Sequence, residues 1–401
     1  MSISTGKLRN IVQLIRTEET EIDHNPIYSQ PWTPLGHKVN PTTPTAIIYC
    51  EGNFGKIDGK SANGLVRHSH IYRILSVIDS ELASLDSGEV LDGMRNHIPL
   101  VANIEEAMIH AETVPDYFIF GIAPSKGLLS DSEKQIILNA MSCNMNIVNG
   151  MHEFLNDDPI FREACLKNNV HILDIRKPKN KEALQVFSGK IHSVKCPRIA
   201  VMGTDCALGK RTTATILADE LRNKGLNVVM IATGQTGIMQ GAPYCVALDA
   251  VPSQFCAGEL EAVIVKAYEI ESPDIIIIEG QGALSHPAFS TSSFILRGSC
   301  PTSVILQHAP KRMYRVDFPE MPIPSVASEI NLIEAFSNTT VIGLTLNHEG
   351  MSSDEIIPQI RAYRAELSLP VTDPLSQPKE QLLQMVLSTY PMLKDKMAEQ
   401  K

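Results

Sequence analysis

At 401 residues the chain is too long for one ordinary hydrophobic core and long enough for two α/β domains. Apolar residues at 43% and charged residues at 20% exclude wholesale disorder and an extended coiled coil. With 35 Lys plus Arg against 45 Asp plus Glu, a net charge of −10 and only 5% aromatics, general binding to nucleic acid or to anionic membrane is not expected, although a local basic pocket for a small anion is allowed.

Residues 1–44 read as an N-terminal extension. A short helix is expected over Leu8–Thr17, followed by a Pro-rich, irregular stretch ending in NPTTPT. Gln13 and Arg16 interrupt the apolar pattern, so neither a secretory signal nor a membrane span is expected there. From Thr45 onward, short apolar runs alternate with amphipathic intervals. Strands are expected over 46–50, 74–78, 98–102, 117–122, 146–148 and 171–175, with helices around 132–140 and 159–167. This alternation predicts βαβ units and a parallel sheet over residues 45–185. The polar, irregular segment Lys177 to Lys195 marks the boundary with a second α/β domain at 196–401.

The second series opens with a strand over 199–202, a Gly-rich turn, and a helix whose Ala214, Leu217, Ala218 and Leu221 fall at i, i+3, i+4 and i+7. Gly225 stands where a C-terminal cap belongs. Further strands are expected over 228–232, 275–278, 303–306 and 341–346, and closing helices near 354–367 and 379–387. The eight cysteines contain no C-x-x-C pair and read as reduced, buried thiols of a cytoplasmic protein. No metal site is expected from them, nor from His68 and His70, which lack a third ligand nearby in sequence.

The strongest chemical signal is Gly203-Thr-Asp-Cys-Ala-Leu-Gly209-Lys210, set between a buried strand and an amphipathic helix. In that setting successive backbone N–H groups and a helix N-terminus face an anion, and Lys210 adds a point charge. Five residues, not the usual four, separate Gly203 from Gly209, and this longer loop resembles that of dethiobiotin synthetase. The residue after the lysine is Arg211, where a magnesium-binding hydroxyl is usual; Thr212 follows. Arginine grips phosphate but does not ligate a metal. Two more loops belong to the same sheet edge. Thr233-Gly234-Gln235-Thr-Gly237 follows one strand, and Glu279-Gly280-Gln-Gly282-Ala-Leu-Ser-His286 follows another. An acidic residue at a strand's C-terminal end sits at the mouth of a parallel sheet, and three converging loops predict a pocket.

GTDCALGKRTT, ATGQTG and EGQGALSHPA, in that order, resemble the P-loop domain of a bacterial domain-of-unknown-function family whose assigned activity is D-glutamate N-acetyltransferase. EGNFGKIDGKSANGLVRHS, VIDSELA, GIAPSKG and NGMHEFLNDDP resemble that family's Rossmann-like N-terminal domain. The resemblance spans about residues 45–375 and implies a two-domain α/β fold, Rossmann-like then P-loop, that moves acetyl from acetyl-CoA to a D-amino acid. One departure is Ala309, where an acidic residue is expected.

On this reading the CoA phosphates fall to Gly203, Thr204, Gly209, Lys210, Arg211 and Thr212, with Gly234, Gln235, Gly280 and Gly282 beside them. Glu279 is the expected base, His286 its alternate, and Asp205 orients the amine. Lys60, Arg67 and Arg312 are candidates for the carboxylates of a diacid acceptor. The competing reading is an ATP-dependent ligase or kinase of the dethiobiotin synthetase type, which would need Mg²⁺ on Thr212 or Glu279. A small-molecule substrate and a homo-oligomer are expected under either.

Overall fold

Strands buried on both faces read as near-continuous apolar runs, as residues 199–202, 275–278 and 304–306 do in the central strands of this protein. The computed structural model describes residues 43–111, 113–124 and 126–399. The helix expected at Leu8–Thr17 lies outside them.

The first sheet has six parallel strands: β1 (Thr45–Tyr49), β2 (Arg73–Ile78), β3 (Leu100–Val101), β4 (Tyr117–Phe120), β5 (Asn146–Asn149) and β6 (Ile172–Asp174). Their order, β3-β2-β1-β4-β5-β6, is that of a Rossmann-like doubly wound sheet. Its helices are α1 (Lys60–Arg67), α2 (Ser87–Asp92), α3 (Ile104–Ala111), α4 (Asp131–Ser142) and α5 (Pro159–Asn168). A Ser130/Glu133 capping box starts α4, and Asp158 with Pro159 starts α5. Asp79, at the end of β2, accepts hydrogen bonds from Phe54 N (3.0 Å) and Glu81 N (3.1 Å) and so ties down its own loop.

The second sheet is also parallel, in the order β15-β14-β11-β7-β10-β8-β9. Its strands are β7 (Arg198–Gly203), β8 (Val228–Ala232), β9 (Tyr244–Cys245), β10 (Ile275–Glu279), β11 (Ser303–His308), β14 (Thr340–Leu346) and β15 (Val371–Thr372); β12 (Tyr314–Arg315) and β13 (Phe318–Pro322) form a separate hairpin. Helices α6 (Lys210–Asn223), α7 (Gln235–Met239), α8 (Ser253–Glu271), α9 (Thr291–Ser299), α10 (Val326–Ser337), α11 (Ser353–Leu367), α12 (Lys379–Thr389) and α13 (Met392–Glu399) complete it.

Alternate residues of the central strands divide between two cores. Ile199, Val201, Ile275, Ile277 and Ile305 pack with Ala214, Leu217, Ala218 and Leu221 of α6, the stripe expected from its spacing, and with α12. Ala200, Met202, Ile276, Ile278, Val304 and Leu306 pack with α8 to α11 on the other face. Gly225, at φ 91°, follows α6 as its spacing requires.

The segment 177–195 is not a free linker. Ile191 and Val194 are buried in the second core. Glu261 of α8 accepts hydrogen bonds from Ser188 N (2.6 Å) and Ile191 N (3.0 Å), and Glu259 from Gln185 N (2.7 Å). Buried carboxylates here satisfy the amides of an irregular strap packed on the second core. The two sheets also meet directly, within one compact unit that begins at Pro44. Ile238 and Met239 of α7 enter the first sheet's core. A Cβ on Gly64 of α1 would lie 2.7 Å from Thr236 Cγ2, so only glycine allows this approach. Among the described residues no helix is long and apolar enough to cross a membrane.

Candidate active site

The phosphate loop forms where the buried strand β7 ends and α6 begins. Ala207 (φ 48°) and Gly209 (φ 88°) are left-handed, and Gly209 caps the helix. A Cβ at Gly203 would stand 2.9 Å from Lys210 Cδ, so the glycine lets the lysine lie back across the loop. Its Nζ donates to Asp205 O at 2.6 Å. Burial is the main force lowering this ammonium to about 8, and the nearby Arg312 and Lys60 add to it against Cys206 and Asp205. A lysine in a Gly-rich loop at a helix N-terminus is an arrangement whose charge and amides suit an anion.

Around this loop are two polar clusters. In the first, Arg211 donates from Nε to Gln240 Oε1 (2.9 Å) and from Nη1 to Glu279 Oε2 (3.3 Å). The same carboxylate oxygen accepts from Thr233 N (3.1 Å), and Gln240 donates onward to Gly64 O (2.8 Å). The chain of bonds thus runs from the end of β10 to α1 of the first domain. Gly237 makes room for the guanidinium, because a Cβ there would lie 2.5 Å from Arg211 Nη1. Arg211, expected at phosphate, has hydrogen bonds to Gln240 and Glu279 in the folded chain. The expected base Glu279 has its Oε2 already occupied by two donors.

Neighbouring candidates also have structural partners. Gln235 donates to Ser61 Oγ (2.9 Å) across the domain contact, and Gly234 caps the short helix that carries it. Gly280 permits close packing, since a Cβ would lie 2.0 Å from Val201 O. Gly282 O accepts from Ser292 Oγ (2.6 Å). The Thr204 hydroxyl meets His308 Nδ1 at 2.8 Å, with His308 lowered to about 4 by burial first and Arg312 second. Thr212 is half-buried in the first turn of α6.

The second cluster is built on Asp205, inside the loop. Its Oδ2 accepts from Arg312 Nη1 (3.2 Å) and Val316 N (2.9 Å). Its Oδ1 has no hydrogen-bond partner and faces His286 Nε2 at 4.0 Å and Arg315 Nη1 at 3.9 Å. Asp317 Oδ2 lies 3.9 Å from the same His286 nitrogen. His286 stacks on Phe289 (ring centroids 4.6 Å apart), and its Nδ1 accepts from Ala288 N and Phe289 N. An imidazole whose Nδ1 accepts two backbone hydrogen bonds carries its proton on Nε2. Burial, then Arg315, lowers its pKa and favours this neutral form. The expected alternate base therefore faces the cluster as a hydrogen-bond donor. Cys206 adjoins the group, and burial holds its thiol up at about 11.

Of the three candidates for substrate carboxylates, two are committed elsewhere. Arg312 braces the loop through Asp205, Cys206 O (2.7 Å) and Ala207 O (3.2 Å), and pairs with Glu349 (2.5 Å). Arg67 grips both oxygens of Asp92 and also Leu91 O. Lys60, at the exposed start of α1, lies close enough to Lys210 to depress its ammonium. Arg315 and Asp317 were missed. They flank Val316 in the β12–β13 hairpin, and an Arg-x-Asp alternation just beyond a central strand was the available signal.

Two family models match the chain. The Rossmann-like domain of DUF1611, a domain of unknown function, covers residues 80–178, and its P-loop domain covers residues 185–383. The chain belongs to the DUF1611 family. A crystal structure of a DUF1611 protein from Anabaena variabilis is 32% identical, with a TM-score of 0.78 over 86% of this chain and 99% of that one. A D-glutamate N-acetyltransferase from Pseudoalteromonas is 32% identical over 277 residues, 68% of this chain and 80% of its own length. Another, from Tritonibacter scottomollicae, is 26% identical over 265 residues, covering 64% of this chain and 76% of that protein.

Proposed function

We propose that this protein is an N-acetyltransferase that moves acetyl from acetyl-CoA to the amino group of a D-amino acid, with D-glutamate as acceptor. The observation that carries the reading is the 32% identity to a curated D-glutamate N-acetyltransferase over 80% of that protein's length. Acetyl-CoA brings the acetyl group as an activated thioester. The residues around the loop suit such a ligand: Lys210 is buried, with its ammonium lowered to about 8 chiefly by burial, and the N-terminus of α6 adds its amides and dipole. A groove of about 320 Å³, lined by Leu284, His286, Phe289, Leu332 and Phe336 among others, offers an apolar wall for the arm that carries the thioester.

The reading needs no divalent ion. Arg211 occupies the place of the usual metal-binding hydroxyl and pairs with Glu279, the acidic residue that a ligase would turn to magnesium. The cytoplasm is the expected compartment: the described cysteines are all free thiols, as a reducing environment keeps them.

The test is release of CoA thiol on mixing the protein with acetyl-CoA and D-glutamate in EDTA. Release is expected with D-glutamate and much more slowly with L-glutamate. If no acceptor in a broad amine panel releases thiol, or if turnover requires ATP and Mg²⁺ and yields ADP, the assignment fails and the ligase reading replaces it.

A further inference from the structure

Asp205 Oδ1, His286 Nε2 and Arg315 Nη1 are buried and lack hydrogen-bond partners, and they point at one another. The residues that carry them are 0%, 7% and 6% exposed. Folded proteins seldom leave several such atoms in one place, since each unmet group keeps its full desolvation cost. The gaps of 3.9–4.0 Å between them, and from Asp317 Oδ2 to His286, are too long for direct hydrogen bonds. A polar ligand atom set to one side of such a pair can still hydrogen-bond to both of its members.

The charges indicate what kind of ligand. Two donors, His286 Nε2–H and an Arg315 N–H, stand opposite two acceptors, Asp205 Oδ1 and Asp317 Oδ2. A simple anion would meet the carboxylates, and a simple cation would meet Arg315 and Lys210. A metal ion would also need the His286 Nε2 lone pair, which is protonated while Nδ1 accepts from Ala288 N and Phe289 N. A zwitterion answers both halves. We infer that this cluster holds the α-amino-acid head of the acceptor, with Arg315 and His286 on its carboxylate and Asp205 and Asp317 on its amino group. The inference rests on the acetyltransferase reading for the identity of the acceptor, and it adds Arg315 and Asp317 as the residues that recognise it.

Calorimetric titration of the full chain, with and without CoA, tests this using D-glutamate, 4-aminobutyrate (which lacks the α-carboxylate) and glutarate (which lacks the amine). In the wild type each analogue should bind at least about tenfold more weakly than D-glutamate. Arg315→Lys should weaken D-glutamate by about tenfold or more and leave 4-aminobutyrate unchanged. Asp317→Asn should weaken D-glutamate and leave glutarate unchanged. A merely structural role would weaken all three ligands alike, and that outcome overturns the inference. So does a wild type that binds D-glutamate under neither condition, a pair of variants that bind it normally, or one equivalent of Zn²⁺ that binds and displaces it. If D-glutamate binds with the expected pattern but no CoA thiol is released, the zwitterion site stands and the acetyl-transfer reading fails alone.

Discussion

The two polar clusters around the phosphate loop are made of the same residue types, carboxylates and arginines, yet they differ in how far their valences are filled. In the Glu279–Arg211–Gln240 cluster each of these side chains has a partner, and the bonds continue into the first domain. In the Asp205–His286–Arg315 cluster three buried polar atoms have none. A filled cluster holds structure together, because breaking it strands a charge. An open one keeps its binding capacity for something that is not part of the chain.

The largest effect expected is on the filled cluster. Glu279→Gln leaves Arg211 largely buried without its countercharge, and should cost about 3 kcal/mol of stability, read by urea denaturation. Adding Arg211→Met should restore most of that loss. If Glu279→Gln instead leaves stability intact and lowers kcat by about 10²–10⁴, Glu279 is the base and the contrast between the clusters collapses.

Next comes the loop that both clusters border. Lys210→Ala should weaken acetyl-CoA binding by about 1.5–3 kcal/mol, roughly ten- to over a hundredfold, measured by calorimetry. Arg211→Ala should weaken it far less while lowering stability, since its fork faces Glu279 and Gln240. Equal losses of affinity in both variants would mean that Arg211 leaves its cluster to bind phosphate.

A smaller effect concerns pH. With Lys210 lowered to about 8, the free protein carries this charge below that pH and loses it above. Bound phosphate favours the charged form and raises the value again. Acetyl-CoA affinity should therefore be greatest below pH 8 and fall above it, by up to about tenfold per unit, with a proton taken up on binding. Flat affinity between pH 7 and 9.5, with no dependence on buffer ionisation enthalpy, would remove Lys210 from the phosphate site.

The smallest effect is expected at the thiol beside the open cluster. Cys206 is held at about 11 and is a poor nucleophile at neutral pH. Cys206→Ser should leave the rate of CoA release within about a factor of three. Abolished turnover, with an acetylated Cys206 trapped in the wild type, would turn the open cluster into the seat of a covalent step.

Much of this molecule was legible before folding. Short apolar runs, amphipathic helices and strand-end glycines predict two parallel α/β sheets and a phosphate loop, because strands buried on both faces read as continuous apolar runs and helix faces recur every 3.6 residues. The longest described helix, α8, carries no such signal. Phe255, Cys256, Leu260 and Glu261 are all buried, so it lacks one clear apolar face. How the strap at 177–195 packs is not written locally, because its partners, Glu259 and Glu261, lie some 70 residues away.

The order of elements, the loop between β7 and α6, and the acidic strand end at Glu279 follow from local sequence. What local sequence could not decide is which charged groups are already taken. Arg211 meets a carboxylate 68 residues on, and Arg312 meets one 107 residues back. Both are cations expected at a ligand, and in the folded chain both pair with carboxylates. Arg315 and Asp317, which belong to no motif in the sequence, reach Asp205 and His286 through the β12–β13 hairpin. Hydrogen-bond valence is counted in space among side chains from distant strands, so only the folded chain reveals which atoms remain open for a ligand.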